Sequence, residues 1–204
     1  MELGIIKKVY SEQLIKWRNS ESIYKWCRQV DLLTEVNHDK WMESHQTDKT
    51  VKMYSIIEDD FIVGVCGLTD IDLINQRAEF SLYIGPEHQK KGYAKKALNL
   101  LLEHAFKCYP LQTIWGETFV GNPAFSLFIK MGFKHEGTRR NFYFKDGRHI
   151  DANLVSITRG EFYDSRYSDN NHVDPNLGIP IIYVKRETAA RAYNQKTLKS
   201  ETLG

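Results

Sequence analysis

The sequence predicts an α/β (α+β) domain built on a mixed sheet with helices on its faces. Three observations predict it. The elements legible along the chain run helix, helix, hairpin, strand, helix, strand, helix, hairpin, a succession that needs a sheet covered by helices. The composition, 42% hydrophobic and 26% charged over 204 residues, supports one well-buried core and falls short of two full domains. The stretch Gln89-Lys90-Lys91-Gly92-Tyr93-Ala94 lies between a strand stopped by Gly85-Pro86 and a helix with an apolar face.

Residues 11–20 read as a short helix, with Ser11 as cap and Leu14, Ile15 and Trp17 at apolar positions. Residues 21–36 are mixed. A second helix is expected after Asn37, carrying Trp41 and Met42. Residues 53–57 and 61–68 flank Glu58-Asp59-Asp60 as a hairpin, and residues 78–84 are the next strand. Between residues 95 and 106 the apolar positions Ala97, Leu98, Leu101, Leu102, Ala105 and Phe106 repeat every three to four residues, the stripe of an amphipathic helix.

Residues 113–120 are a strand. Asn122-Pro123-Ala124 opens a helix through Met131, with Pro in the favoured first turn and Gly132 as its stop. Residues 133–144 and 148–158 are two long strands joined at Asp146-Gly147. The expected organisation is a domain over residues 1–163 followed by an extension over 164–204. That extension comprises a polar loop to residue 178, an edge strand at 179–184 that Pro180 keeps out of a sheet centre, and a loose polar tail.

The net charge of +2 argues against a dedicated nucleic-acid binder, and no apolar run approaches the ~20 residues of a membrane span. Cys27, Cys66 and Cys108 are odd in number and far apart, which suits buried thiols in a reducing cytoplasm. The seven histidines show no zinc-like spacing with them, so no metal is expected.

The turn at residues 89–94 carries the chemistry. A small turn opening a helix leaves backbone N–H groups unpaired and aimed at one point, and the helix dipole adds positive charge there. Gly92 and Ala94 keep side chains clear, while Lys90, Lys91 and Lys95 add full charges. The spacing is neither Gly-x-Gly-x-x-Gly nor Gly-x-x-x-x-Gly-Lys-Ser/Thr.

The pattern Gln89-x-x-Gly92-x-Ala94 resembles the pyrophosphate loop of the GCN5-related N-acetyltransferases. The likeness runs from about residue 8 to residue 162. It includes the strand at 77–86, Asn122-Pro123-Ala124, Met131-Gly132-Phe133 and the final hairpin with Asp146-Gly147 and Asp151-Ala152-Asn153-Leu154. The resemblance implies the acyl-CoA N-acyltransferase fold, a mostly antiparallel sheet in which two parallel strands splay into a V. It implies acetyl-CoA as co-substrate. Backbone groups of Leu82, Tyr83 and Ile84 would pair with the pantetheine arm, the amides of Gln89, Lys90, Lys91, Gly92, Tyr93, Ala94 and Lys95 would hold the pyrophosphate, and Asn122, Phe125 and Phe128 would line the far side.

The chemistry implied is acetyl transfer to an amine, which must first lose a proton. Glu79 and Glu117 are the candidate bases, each also readable as a salt-bridged strand carboxylate with Arg77 or Arg139 as partner. Many family members carry a proton-donating Tyr where this chain has Phe128, and the span from Asn122 to Gly132 is about one residue short of the common pattern. Tyr83 or Tyr143 would then have to serve, or water. Trp17-Arg18-Asn19 is similar to acetyltransferases of nucleotide-linked amino sugars, with Trp17 stacking on a base or sugar and Arg18 pairing with a diphosphate; the other reading keeps Trp17 in the core and Arg18 as a surface charge.

The stretch at 77–80 and the last hairpin also look like spermidine acetyltransferases, with Asp70, Asp72 and Glu79 as an acidic pocket. The expected order of acceptors is amino sugar, protein amino terminus, polyamine. The expected partners are a small-molecule amine or a protein N-terminus, with no nucleic acid or membrane, and a homodimer is possible. A non-catalytic acyl-CoA-binding module on the same fold is the alternative.

Overall fold

The computed structural model describes residues 1–167. Their elements are β1 Glu2–Gly4, α1 Ser11–Asn19, α2 Glu21–Tyr24, α3 Glu35–Thr47, β2 Lys52–Glu58, β3 Phe61–Asp72, β4 Arg77–Ile84, α4 Tyr93–Cys108, β5 Thr113–Phe119, α5 Ala124–Lys130, β6 Lys134–Lys145, β7 Arg148–Thr158 and α6 Arg159–Tyr167. The seven strands form one sheet in the order β1-β2-β3-β4-β5-β7-β6. Every pairing is antiparallel except β4 with β5. The predicted class therefore stands.

The sheet is buried on both faces. Cys66, Leu68, Ala78, Phe80, Val155 and Ile157 pack with the stripe Ala97, Leu98, Leu101, Leu102, Ala105 and Phe106 of α4. Val65 packs on the other face with Leu14, Trp17, Ile23 and Met42 of α1–α3. Side chains alternate between faces along a strand, yet both Val63 and Val65 are buried, on opposite faces. A bulge resolves this: Ile56 pairs with Gly64 and Ile57 with Ile62, so Val63 is the extra residue that resets the alternation.

Four boundaries differ from expectation. Residues 2–4 add an edge strand too short to show a period. Residues 21–24 form one helical turn. The helix expected after Asn37 begins at Glu35, because the Thr34 side chain accepts the Asn37 N–H and caps it. The expected polar loop starts inside α6, which crosses the boundary drawn at residue 163. That helix is anchored by Phe162 against Phe106 and by Arg159, whose guanidinium donates to the carbonyls of Phe106, Tyr109 and Leu111. The strand expected at 179–184 and the tail beyond lie outside the described residues.

Candidate active site

The cleft begins where two parallel strands part. β4 and β5 are paired at only three positions, Arg77 with Thr113, Ala78 with Ile114 and Glu79 with Trp115. β4 continues to Ile84 bonded to β3, and β5 continues to Phe119 bonded to β7. The Phe80 ring fills the throat of the V. A Cβ on Gly116 would stand 2.4 Å from it, so glycine is what admits the wedge. Phe128 and Phe133 support that ring at centroid distances of 4.9 and 5.1 Å. Beyond it lies a cleft of about 580 Å³.

One wall of the cleft is a free strand edge. The Gly85 N–H donates to the Val63 carbonyl on β3. Backbone groups alternate in direction, so those of Ile84 and Leu82 face the opening. The Ile84 carbonyl accepts the Gln89 side-chain amide at 3.1 Å, which ties the following turn to the strand end. Lys90 and Gly92 both have left-handed backbones, φ 62° and 79°, and α4 starts at once with no side-chain cap. The first-turn N–H groups of α4 are therefore left to other partners. A Cβ at Gly92 would meet no protein atom within 4 Å. A free strand edge leading into an open concavity of peptide amides fits a pantetheine arm ending in a pyrophosphate.

Two carboxylates stand at the V. Glu117 lines the cleft; its carboxylate accepts from the Tyr143 hydroxyl at 2.5 Å and pairs with Arg139. Glu79 lies behind the wall with 3% exposure. Arg28 Nη2 reaches its Oε1 at 2.6 Å, and the Thr69 hydroxyl its Oε2 at 3.3 Å. Burial pushes the Glu79 carboxyl above its ordinary value; Arg28 opposes the rise, and Asp70 and Glu117 add to it. Burial, then the bond to Glu117, raises the Tyr143 phenol. Burial also raises the phenol of Tyr83, whose ring lies 5.6 Å from the Arg18 guanidinium.

Of the residues predicted to form the site, Arg18, Leu82, Tyr83, Ile84, Gln89, Lys90, Ala94, Glu117, Asn122 and Phe128 line the cleft. Lys91, Gly92, Tyr93 and Lys95 belong to the turn and first helical turn beside it. Phe125 is not in the wall: its ring meets His135 edge-on at 5.2 Å. The Asn122 carboxamide oxygen accepts the Ala124 N–H and so shapes the start of α5.

Trp17 takes the core reading and not the ligand platform. It is 2% exposed and offers no face to a base or sugar. Its indole packs where a Gly85 Cβ would be, and its N–H donates to both oxygens of Glu87 at 2.9 and 3.0 Å. It thus ties α1 to the turn that precedes α4. Arg18 also departs from its expected partner, since its guanidinium donates to the Gln29 side chain. Asp72 is occupied by its own turn, accepting from Ile74 and Asn75, and pairs with Arg77, which does not reach Glu79.

Sequence reasoning missed Phe80, Gly116, Arg28 and Lys145. Arg28 sits in an irregular loop 51 residues from its partner Glu79, a separation no local pattern encodes. Gly116 within a β-rich run was the one visible signal, since glycine inside a strand marks a close approach.

Residues 8–134 match the acetyltransferase (GNAT) domain family, and the chain belongs to it. It is 33% identical over 102 residues to the spermidine N(1)-acetyltransferase of Vibrio cholerae, covering 50% of this chain and 59% of that one. It is 28% identical over 106 residues to the ribosomal-protein-serine acetyltransferase of Escherichia coli, covering 52% and 59%. The chain thus spans about six tenths of the length of these two curated relatives. The crystal structure of the spermidine N-acetyltransferase from Vibrio cholerae in complex with CoA and spermine superposes with TM-score 0.75 at 24% identity, over 79% of this chain and 97% of that one. That likeness establishes the acyl-CoA N-acyltransferase fold. Among the described residues no helix is long and apolar enough to cross a membrane.

Proposed function

We propose that the protein transfers an acetyl group from acetyl-CoA to a primary amine. One observation carries this reading. The free edge of β4 at Leu82 and Ile84 runs into the open turn at Gly92, with the Glu117–Tyr143 pair in the same cleft.

The residues divide the work. The edge of β4 orients the pantetheine arm, and amides of residues 90–95 hold the pyrophosphate. Glu117 accepts the ammonium proton, directly or through one water, leaving a neutral nitrogen to attack the thioester carbon. The Leu82 N–H, on the edge of β4 that faces the cleft, bonds the developing oxyanion. As the carbon–sulfur bond breaks, Tyr143 gives its proton to the thiolate and recovers one from Glu117 across their hydrogen bond. Protons balance: the amine loses one and coenzyme A gains one. Tyr143 thus stands in for the hydroxyl that Phe128 lacks. Glu79 contacts no cleft space and acts by fixing Arg28.

The relatives support a polyamine acceptor better than the nucleotide-linked amino sugar expected first, and the buried Trp17 removes the surface that the sugar reading needed. A protein amino terminus is a second reading. Glu79 and Glu117 are already matched by Arg28 and Arg139, and Arg18 and Lys90 add positive charge to the wall. Such a wall suits an acceptor with one amine better than a polycation.

The test is release of coenzyme A thiol with spermidine, a peptide beginning in serine and a nucleotide-linked amino sugar. Spermidine turnover at least about tenfold above the others, about 1.4 kcal/mol in transition-state binding, supports the polyamine. Preference for the peptide favours the second reading. Thermal stabilisation by coenzyme A with no turnover on any amine overturns the enzyme in favour of a binding module.

A further inference from the structure

Lys145, at the end of β6, is 2% exposed although it is a lysine next to a hairpin turn. Its Nζ donates to three backbone carbonyls more than 110 residues away in sequence: Tyr24 at 2.5 Å, Cys27 at 2.9 Å and Gln29 at 3.0 Å. It also lies 3.6 Å from the centroid of the Tyr24 ring. Three acceptors require three protons, so the geometry is that of an ammonium, and a neutral amine would leave one of the three bonds unmade. The Tyr24 carbonyl closes α2 and also accepts the Cys27 N–H, while those of Cys27 and Gln29 lie in the loop beyond the helix. A buried lysine is costly unless its charge is met, and here carbonyl dipoles and an aromatic face meet it.

The loop so held forms one wall of the cleft, on a separate element from the turn before α4. Trp26, Cys27, Arg28 and Gln29 line it. Arg28 bonds Glu79, and Gln29 accepts from Arg18. No helix or strand spans residues 25–34, so the placement of Arg28 depends on what grips the loop from outside. We propose that Lys145 is a positioning residue for the acceptor side: its ammonium clamps residues 24–29 to the β6–β7 hairpin and thereby sets Arg28 against Glu79. The catalytic half of this inference rests on the acetyltransferase reading; the clamp itself does not.

Lys145→Met keeps length and apolar bulk but removes all three donors. Exchange of the amides in residues 24–30 should quicken about tenfold or more while α4 and β3 stay protected. The KM for the amine should rise by about the same factor, with the KM for acetyl-CoA unchanged within about twofold. In a double-mutant cycle with Arg28→Gln, the second substitution should add little, because both remove one arrangement. Unchanged exchange, equal effects on both KM values or full additivity would overturn the proposal. Should Lys145→Met fail to fold, Tyr24→Leu removes the ring beneath the ammonium and leaves the carbonyls. It should raise the amine KM alone, by a smaller factor, and no rise would refute the clamp. If the wild-type protein acetylates no amine, the functional reading fails, and the exchange rates still decide the clamp.

Discussion

Glu117 and Tyr143 come from different strands, β5 and β6, and share one short hydrogen bond in the cleft. If Tyr143 delivers the thiolate's proton, Tyr143→Phe should lower kcat by about a hundredfold and leave the dissociation constant of acetyl-CoA unchanged, because the ring stays and only the proton goes. Steady-state kinetics alongside calorimetry checks it; an equal loss in both constants would mean a packing role. Glu79 makes a separate prediction through stability. Burial raises its carboxyl above the ordinary 4.5, against the pull of Arg28. The native state therefore holds that proton to higher pH than the unfolded chain does, and its contribution to stability falls as pH rises from 4.5 through the native value. Glu79→Gln should flatten that slope, read as the difference between the two melting temperatures across the window. A slope identical in both proteins would assign the titration elsewhere. Gly85 marks a steric limit at the same scale. A Cβ there would lie 2.4 Å from the buried Trp17 ring, which has no room to move. Gly85→Ala should cost about 1–3 kcal/mol by overpacking, visible as a lowered denaturation midpoint, and an unchanged midpoint would show that the ring yields.

At the scale of elements, α1, the turn at 85–92 and α4 form one mechanical unit. Trp17 of α1 holds Glu87, Gln89 holds the end of β4, and Gly92 opens α4. The left-handed Lys90 in this turn is a strain of about 1–2 kcal/mol, tolerated because the flanking contacts fix the backbone. Gly92→Val should separate binding from folding. Its Cβ would meet no protein atom within 4 Å, so the stability loss is chiefly backbone strain of about 1–2 kcal/mol. Coenzyme A affinity should fall by at least about a hundredfold, because the branched side chain enters the space where a phosphate would sit. Affinity within about threefold of wild type would remove the pyrophosphate from this turn.

At the scale of the described domain, helices on both faces of a split sheet leave a cleft lined by Ile23 from one core cluster and Phe128 from the other. A ligand lying along the free β4 edge binds the native state alone, so coenzyme A at a hundred times its dissociation constant should stabilise the fold by about 2.7 kcal/mol. A melting temperature insensitive to coenzyme A would sink the assignment of the cleft.

The elements that build this frame were legible because each rests on a local period or stop. The α4 stripe, the Asp146-Gly147 hairpin, the Asn122-Pro123 helix start and the Gly-containing turn at 89–94 all depend on neighbours within a few residues. The sequence alone therefore determined the fold class, the family likeness and the open turn before α4. It left Trp17 open, since an indole at one position in a helix reads equally as core or as ligand platform, and only the packing of Gly85 against it decides. The length of the β4–β5 pairing, the match of Arg28 to Glu79 and the seat of Lys145 were decided by tertiary structure. Each joins segments dozens to more than a hundred residues apart, and long-range contacts of that kind arise from packing and desolvation that no local pattern records.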